Sequence, residues 1–238
     1  MLFFYIRHGE PTYHPDCLTP MGHKQAEAVA KRLAFYGLDK VYASTSVRAR
    51  QTAEPVCELL GKELQLLEFC HEHLAWEELT VNLEDGGKTW LCAHKESKYI
   101  MSQPEVRNLG DKWYEHPAFA GYNYKKGMDR IADAADEFFR SLGYEHERGT
   151  GKYKVLQPND DRVALFAHAG FGSAFMSNLL DIPYPMFSFH FDMCHSGVTV
   201  IDFSDEGGYA FPKVLTYSDD AHIYREGLPT FYNKQYRF

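Results

Sequence analysis

No stretch of this chain approaches the roughly 20 consecutive apolar residues that a membrane-spanning helix needs, and its opening apolar run, MLFFYI, is too short for a signal h-region. An excess of positive charge is also absent. The 25 Lys and Arg face 33 Asp and Glu, a formal net charge of −8, so there is no general basic surface to offer nucleic acid or an anionic membrane. Any anion site must therefore be local. Cysteine is sparse: Cys17, Cys57, Cys70, Cys92 and Cys194 are odd in number and scattered without a disulfide-framework spacing. That pattern argues against a secreted disulfide scaffold and suits the reducing cytoplasm. Internal repeats and low-complexity tracts are missing too, which leaves no sign of a repeat architecture or a compositionally biased segment.

What remains is 238 residues, 45% hydrophobic and 24% charged, the balance of a globular protein with enough apolar material for a substantial core. The expectation is a single domain over 1–238. Strand and helix patterns alternate from the start. FFYIR reads as a buried strand. Thr19 is placed to cap a helix that begins at Pro20 and buries Ala26, Val29, Ala30 and Leu33, with Gly37 to end it. KVYAS, the helix VRARQTAEPVCELLG and the strand ELQLLEF follow. This alternation predicts an α/β fold, a three-layer α/β/α sandwich around a mostly parallel sheet.

From about residue 70 to 126 the rhythm breaks into a segment rich in Trp, Tyr, His and charge, read as an inserted lobe over the sheet. Its aromatic residues, among them Trp76, Trp90, Trp113 and Tyr124, either cap a pocket or form the lobe's own core, and the second reading weighs more. MDRIADAADEFFRSLG restores a helical face, and residues 144–161 read as loop or short hairpin. RVALFAHAG is a strand ending in small residues, FGSAFMSNLL a helix, and SGVTVIDF and FPKVLTY two last strands.

Two strands end in histidine: FFYIRHG delivers Arg7 and His8, and LFAHAG delivers His168. In open α/β sheets the ligand crevice lies at the carboxyl ends of the strands, so both histidines are expected in one site. The helix starting after Ala169 and Gly170 would add free backbone N–H groups there. A third strand end, VYAS, leads to Arg48 at a helix start. Two guanidiniums form a phosphate clamp that does not lose its charge. Their field also holds a nearby histidine neutral, in the form that can accept a phosphoryl group covalently.

RHGE at 7–10, LTPMGHKQA at 18–26, YASTSVRARQTA at 42–53, FAHAG at 166–170 and HSGVTVIDF leading to YSDDAHI occur in that order. The chain thereby resembles the histidine phosphatase superfamily, with its phosphoglycerate mutase-like fold. The resemblance implies a phosphomonoester hydrolase acting on a small phosphorylated metabolite through a phosphohistidine, with no cofactor and no metal. It implies His8 as the phosphorylated nucleophile, Arg7 and Arg48 as phosphate ligands, and His168 completing the phosphate pocket beside the Ala169 amide. It also implies a carboxylate proton donor after the third strand. In FCHEHLAWEELT the expected donor is Glu77, with Glu78 and Glu72 as alternatives.

The chain departs from the family where threonine and asparagine often follow the nucleophile, since Pro11 and His14 stand there; His14 is carried as a phosphate contact. WEELTVNLEDGG does not match the corresponding motif of the cofactor-dependent mutases, which favours hydrolysis over mutase chemistry. A mutase-type phosphoryl transferase and a non-catalytic phospholigand-binding module stay as alternatives, and a homodimer stays open beside a monomer. His195 and His222 read as structural, or as supporting the site without touching substrate, in preference to catalytic. The Cys and His of CHEH and CAH fit no usual zinc spacing. GGKT at 86–89 lacks the glycine of a P-loop, and GFGSAF lacks the last small residue of a dinucleotide fingerprint.

Overall fold

Residues Leu2–Arg7 form strand β1, and its side chains alternate between two cores: Phe3 and Tyr5 on one face, Phe4 and Ile6 on the other. A strand buried on both faces must sit inside a sheet covered by helices. The computed structural model, which describes residues 1–236, places it there. Strands β2 (Lys40–Ser44), β3 (Leu64–Leu67) and β4 (Arg162–Ala167) extend the sheet in parallel, with β4 between β1 and β2. On the other side, β5 (Val198–Asp202) runs antiparallel to β1 and β6 (Lys213–Asp219) antiparallel to β5. The order is therefore β6-β5-β1-β4-β2-β3, and the carboxyl ends of β1, β4 and β2 lie side by side.

Helices α1 (Pro20–Tyr36) and α2 (Val47–Leu60) cover the Phe4 face through Val29, Ala30, Leu33, Ala53 and Val56. Helix α1 starts as the sequence predicts: Thr19 Oγ1 accepts the Gly22 N–H at 3.0 Å, Pro20 occupies the first turn, and Gly37 ends the helix at φ 76°. The opposite face is covered by α4 (Tyr124–Ser141) and α5 (Ala169–Leu179), which follow the short α3 (Glu72–Glu78) in the chain. There Phe3 meets Phe139 edge-on at 5.1 Å and Tyr5 stacks on Phe175 at 5.6 Å.

Two glycines fix where β1 delivers its last residues. A Cβ on Gly22 would lie 2.2 Å from the Glu10 carbonyl oxygen, and one on Gly9 would lie 2.7 Å from the Gly22 carbonyl oxygen. The loop after His8 therefore rests backbone to backbone on the first turn of α1.

The segment beyond β3 contains α3, a small hairpin (Thr80–Asn82 with Lys88–Trp90) and short helices at Lys95–Met101 and Pro104–Arg107. Leu79, Leu91, Met101, Trp113 and Tyr124 are buried in the same hydrophobic cluster as Phe3 and Tyr5. Trp113 stacks on Tyr184 at 5.5 Å and is core; Trp90 instead borders a cleft. Residues Tyr144–Glu147 and Lys152–Val155 pair as an antiparallel hairpin. Among the described residues no helix is long and apolar enough to cross a membrane.

Candidate active site

The carboxyl ends of β1 and β4 are registered so that Arg7 lies opposite Ala167, and the His8 N–H donates to the Ala167 carbonyl at 2.9 Å. That register brings the His8 and His168 rings to 5.2 Å. His8, 3% exposed, sets its Nδ1 2.7 Å from the Gly9 carbonyl oxygen. A carbonyl can only accept, which assigns the ring proton to Nδ1 and leaves Nε2 with its lone pair. Burial first, then the charges of the neighbouring His168, Arg7 and Arg48, hold the His8 pKa well below the ordinary histidine value, so the ring is neutral.

His168 is fully buried, and each of its edges is occupied. The Arg48 guanidinium donates to Nδ1 at 3.2 Å, which assigns the proton to Nε2, 2.9 Å from Ser44 Oγ at the end of β2. Its backbone is held by the Tyr5 hydroxyl, which donates to the carbonyl at 2.6 Å and accepts from the N–H at 3.3 Å. Arg7 donates to the Met193 carbonyl and to Asn233 Oδ1. Arg48 donates to Asp16 Oδ1 at 2.7 Å. Arg7 Nε and Arg48 Nε are both buried without a hydrogen-bond partner among the described residues. A phosphoryl oxygen accepting from either removes an unfavourable burial.

The structure brings Arg7, His8, Arg48 and His168 together, with Ala169 opening α5 beside them. Glu77, the expected donor, lies elsewhere. Its carboxylate is 50% exposed and pairs with Lys88 at 3.1 Å, because the sixth residue of α3 faces outward. Glu78 is held by Arg130 at 2.7 Å. The carboxylate that enters the pocket is Glu72, the first residue of α3. It accepts the Gly170 and Phe171 N–H groups at 3.1 and 3.2 Å and lies 3.9 Å from His168 Nδ1. Burial raises its pKa to about 7, against the pull of those amides, Arg48 and Arg7. A carboxyl poised there can both give and take a proton near neutrality.

His14 is exposed in the turn of the hairpin Pro11–Tyr13 and Asp16–Leu18, and no hydrogen bond among the described residues ties it to the pocket. That hairpin serves the site through Asp16. Sequence reasoning passed over Asp16, Ser44, Tyr5 and Asn233. Ser44 stood inside a recognised motif and was legible; Asn233, 226 positions from Arg7 in sequence, had no local signal. Among the described residues no group of three or more His, Cys, Asp or Glu is arranged to hold a metal ion. In the Cys and His segment, Cys70 donates to the Leu67 carbonyl and His94 binds Ser97 and Glu96.

Residues 3–211 match the family model described as histidine phosphatase superfamily (branch 1). Among solved structures, "Mycobacterial hydrolase 1" is 19% identical with a TM-score of 0.59, covering 92% of this chain and 98% of its own. A phosphoserine phosphatase variant from Entamoeba histolytica in complex with phosphoserine is 17% identical, TM-score 0.59, over 93% and 98% of the two chains. A mycobacterial glucosyl-3-phosphoglycerate phosphatase bound to VO3 is 17% identical, TM-score 0.59, over 92% and 99%. At these identities the likeness is one of fold. Among curated proteins, none matches significantly.

Proposed function

The chain belongs to the histidine phosphatase superfamily, and from that membership we propose that it hydrolyses small organic phosphomonoesters with His8 as the phosphorylated nucleophile. The observation that carries this reading is the hydrogen bond from His8 Nδ1 to the Gly9 carbonyl, which leaves Nε2 free beside two guanidiniums.

In the first step His8 Nε2 attacks phosphorus in line while the bond to the leaving oxygen breaks. Glu72, as the carboxylic acid, passes its proton to that oxygen, so the alcohol departs neutral. Arg7, Arg48 and the Ala169 amide bind the non-bridging oxygens, whose charge grows in the transition state. His168 fixes Arg48 within this set. In the second step water attacks the phosphohistidine, Glu72 as carboxylate takes the water's proton, and the P–N bond breaks. His8 returns neutral and phosphate leaves.

We propose likewise a single domain over 1–238, with about residues 70–126 as an inserted lobe that supplies Glu72 and Trp90 to the site. Five free thiols fit a reducing compartment, and we place the protein in the cytoplasm. The test is phosphate release from a panel of sugar, nucleotide and glycerate phosphates with chelator present and His8→Ala as control. Chelator-resistant release that the variant loses is the expected result. Release retained in His8→Ala would overturn the assignment.

A further inference from the structure

A third histidine stands in the pocket. His195 is 6% exposed, and its ring stacks on that of His8 at 5.9 Å with 28° between the planes. The backbone fixes it there. Arg7 N–H donates to the Gly197 carbonyl at 3.2 Å and Ser196 N–H to the His8 carbonyl at 3.1 Å, prolonging the β5 to β1 pairing past its last ladder residue. Ser196 takes φ 58°, a left-handed conformation that a non-glycine residue adopts only under local constraint. On its other side the His195 N–H donates to the Phe231 carbonyl at 2.8 Å.

The ring itself is unpaired. Asn233 lies beside it and favours its protonation, yet without hydrogen-bond geometry, and neither Nδ1 nor Nε2 has a hydrogen-bond partner among the described residues. Burial and the Arg7 charge keep the imidazole neutral, with a pKa of about 3. A neutral ring carries one N–H and one lone pair, and burying both unsatisfied is unfavourable unless a ligand meets them. The ring borders a cleft of about 1320 Å³ that Glu10, Asp220 and residues 229–236 also line.

Resting on the phosphatase reading, we propose that His195 is a further substrate-contacting residue, donating its ring N–H to an oxygen of the phosphoryl group that His8 attacks. Its place beside His8 and Arg7 puts that donor on the β5 side of the phosphorus, across the site from His168 just past the end of β4. The oxygen gains a donor whose position the backbone has already fixed, and the ring gains the partner it lacks.

The experiment compares His195→Phe, which keeps the ring stack and removes the donor, with His195→Gln, which restores an N–H. Histidine-ring 15N NMR of the wild-type protein titrated with inorganic phosphate accompanies it, with the His195 signals identified by their loss in either variant. The expected result is a fall in kcat/KM of about 10- to 100-fold in His195→Phe, the range for a hydrogen bond to a charged group. Phosphate affinity should weaken in parallel, most of both should return in His195→Gln, and the His195 ring nitrogens should shift as phosphate saturates. A Phe variant within about twofold of wild type, or His195 nitrogens that stay still while those of His8 move, would overturn the proposal. The NMR arm decides even if a variant fails to fold. Wild-type protein that releases no phosphate from any substrate would instead defeat the phosphatase reading, and the titration would still report on His195.

Discussion

Asp16 holds Arg48 by two routes: Oδ1 accepts from the guanidinium at 2.7 Å while Oδ2 accepts the Val47 N–H, at the first residue of α2, at 2.9 Å. One carboxylate thus fixes both the side chain and the helix end that carries it. Its side chain is only 30% exposed, and Tyr13 from the same hairpin lies over the guanidinium at 5.3 Å. Asp16→Ala should therefore lower kcat/KM by roughly 10- to 100-fold, the range for the charge-assisted bond to Arg48 that it removes, while Asp16→Asn keeps an acceptor and loses less. Steady-state kinetics on both variants checks the order.

Glu72 gives a pH prediction with a definite sign. Its pKa is 4.5 unfolded and about 7 folded, so the folded protein holds the proton more tightly between those values. Stability must then fall as pH rises from 4.5 to 7, by about 3 kcal/mol at most. Glu72→Gln should abolish that loss and stand closest to, or above, wild-type stability at pH 8, less what the amide forfeits as an acceptor for the second backbone N–H. Turnover in the same variant should drop about 10²- to 10⁴-fold, the usual worth of a general acid–base. Glu77→Gln should leave both unchanged. Denaturant melts at pH 5 and pH 8, with phosphate-release rates, separate the two carboxylates.

Gly170 marks a tight packing point in the site. A Cβ there would lie 2.3 Å from Trp90 Cζ2 and 2.5 Å from Glu72 Oε1. Gly170→Ala should push Glu72 off the amides of α5 and Trp90 out of its seat, with a stability loss of about 1–3 kcal/mol and a loss of turnover approaching that of Glu72→Gln. Ser173→Ala, three residues further along α5, should cost little. Its hydroxyl only donates to the Ala169 carbonyl at 3.1 Å within its own helix. Thermal melts and kcat on the pair test whether close approach, and not mere proximity to the helix start, sets the requirement.

The sheet, its order of elements and four pocket residues were legible because each is written locally. β1 alternates between two cores over six residues, Thr19, Pro20 and Gly37 bracket α1, and each of the two histidines ends an apolar run. Glu77 misled because the carboxylate position depends on the rotation of a seven-residue helix with no apolar period long enough to show which face turns inward. The placing of His195 beside His8 is not legible locally, because the bonds of Ser196 and Gly197 to the end of β1 and its own bond to Phe231 are long-range. Asn233 on Arg7 is a pairing that only the folded chain reveals.

His146 supplies the last prediction, away from the chemistry. Its ring lies between Asp136, 2.9 Å from Nδ1, and Asp181, 3.3 Å from Nε2, and stacks on Tyr153 at 4.3 Å. Burial opposes its charge, but the two carboxylates prevail and raise its pKa from 6.5 to about 9. Both partners are held below their ordinary range, with hydrogen bonds from His146 the largest of the favourable causes. The imidazolium therefore pins the hairpin at residues 144–155 to α4 and to the turn after α5. For a raised histidine the stabilisation is complete below pH 6.5 and is lost as pH climbs through 9. Wild-type Tm should fall across that interval, which overlaps the one in which Glu72 titrates only between pH 6.5 and 7. His146→Gln should be less stable than wild type at pH 6, and the gap should narrow by pH 9.5. A gap that stays constant with pH would mean that His146 acts by packing on Tyr153 and not by its charge.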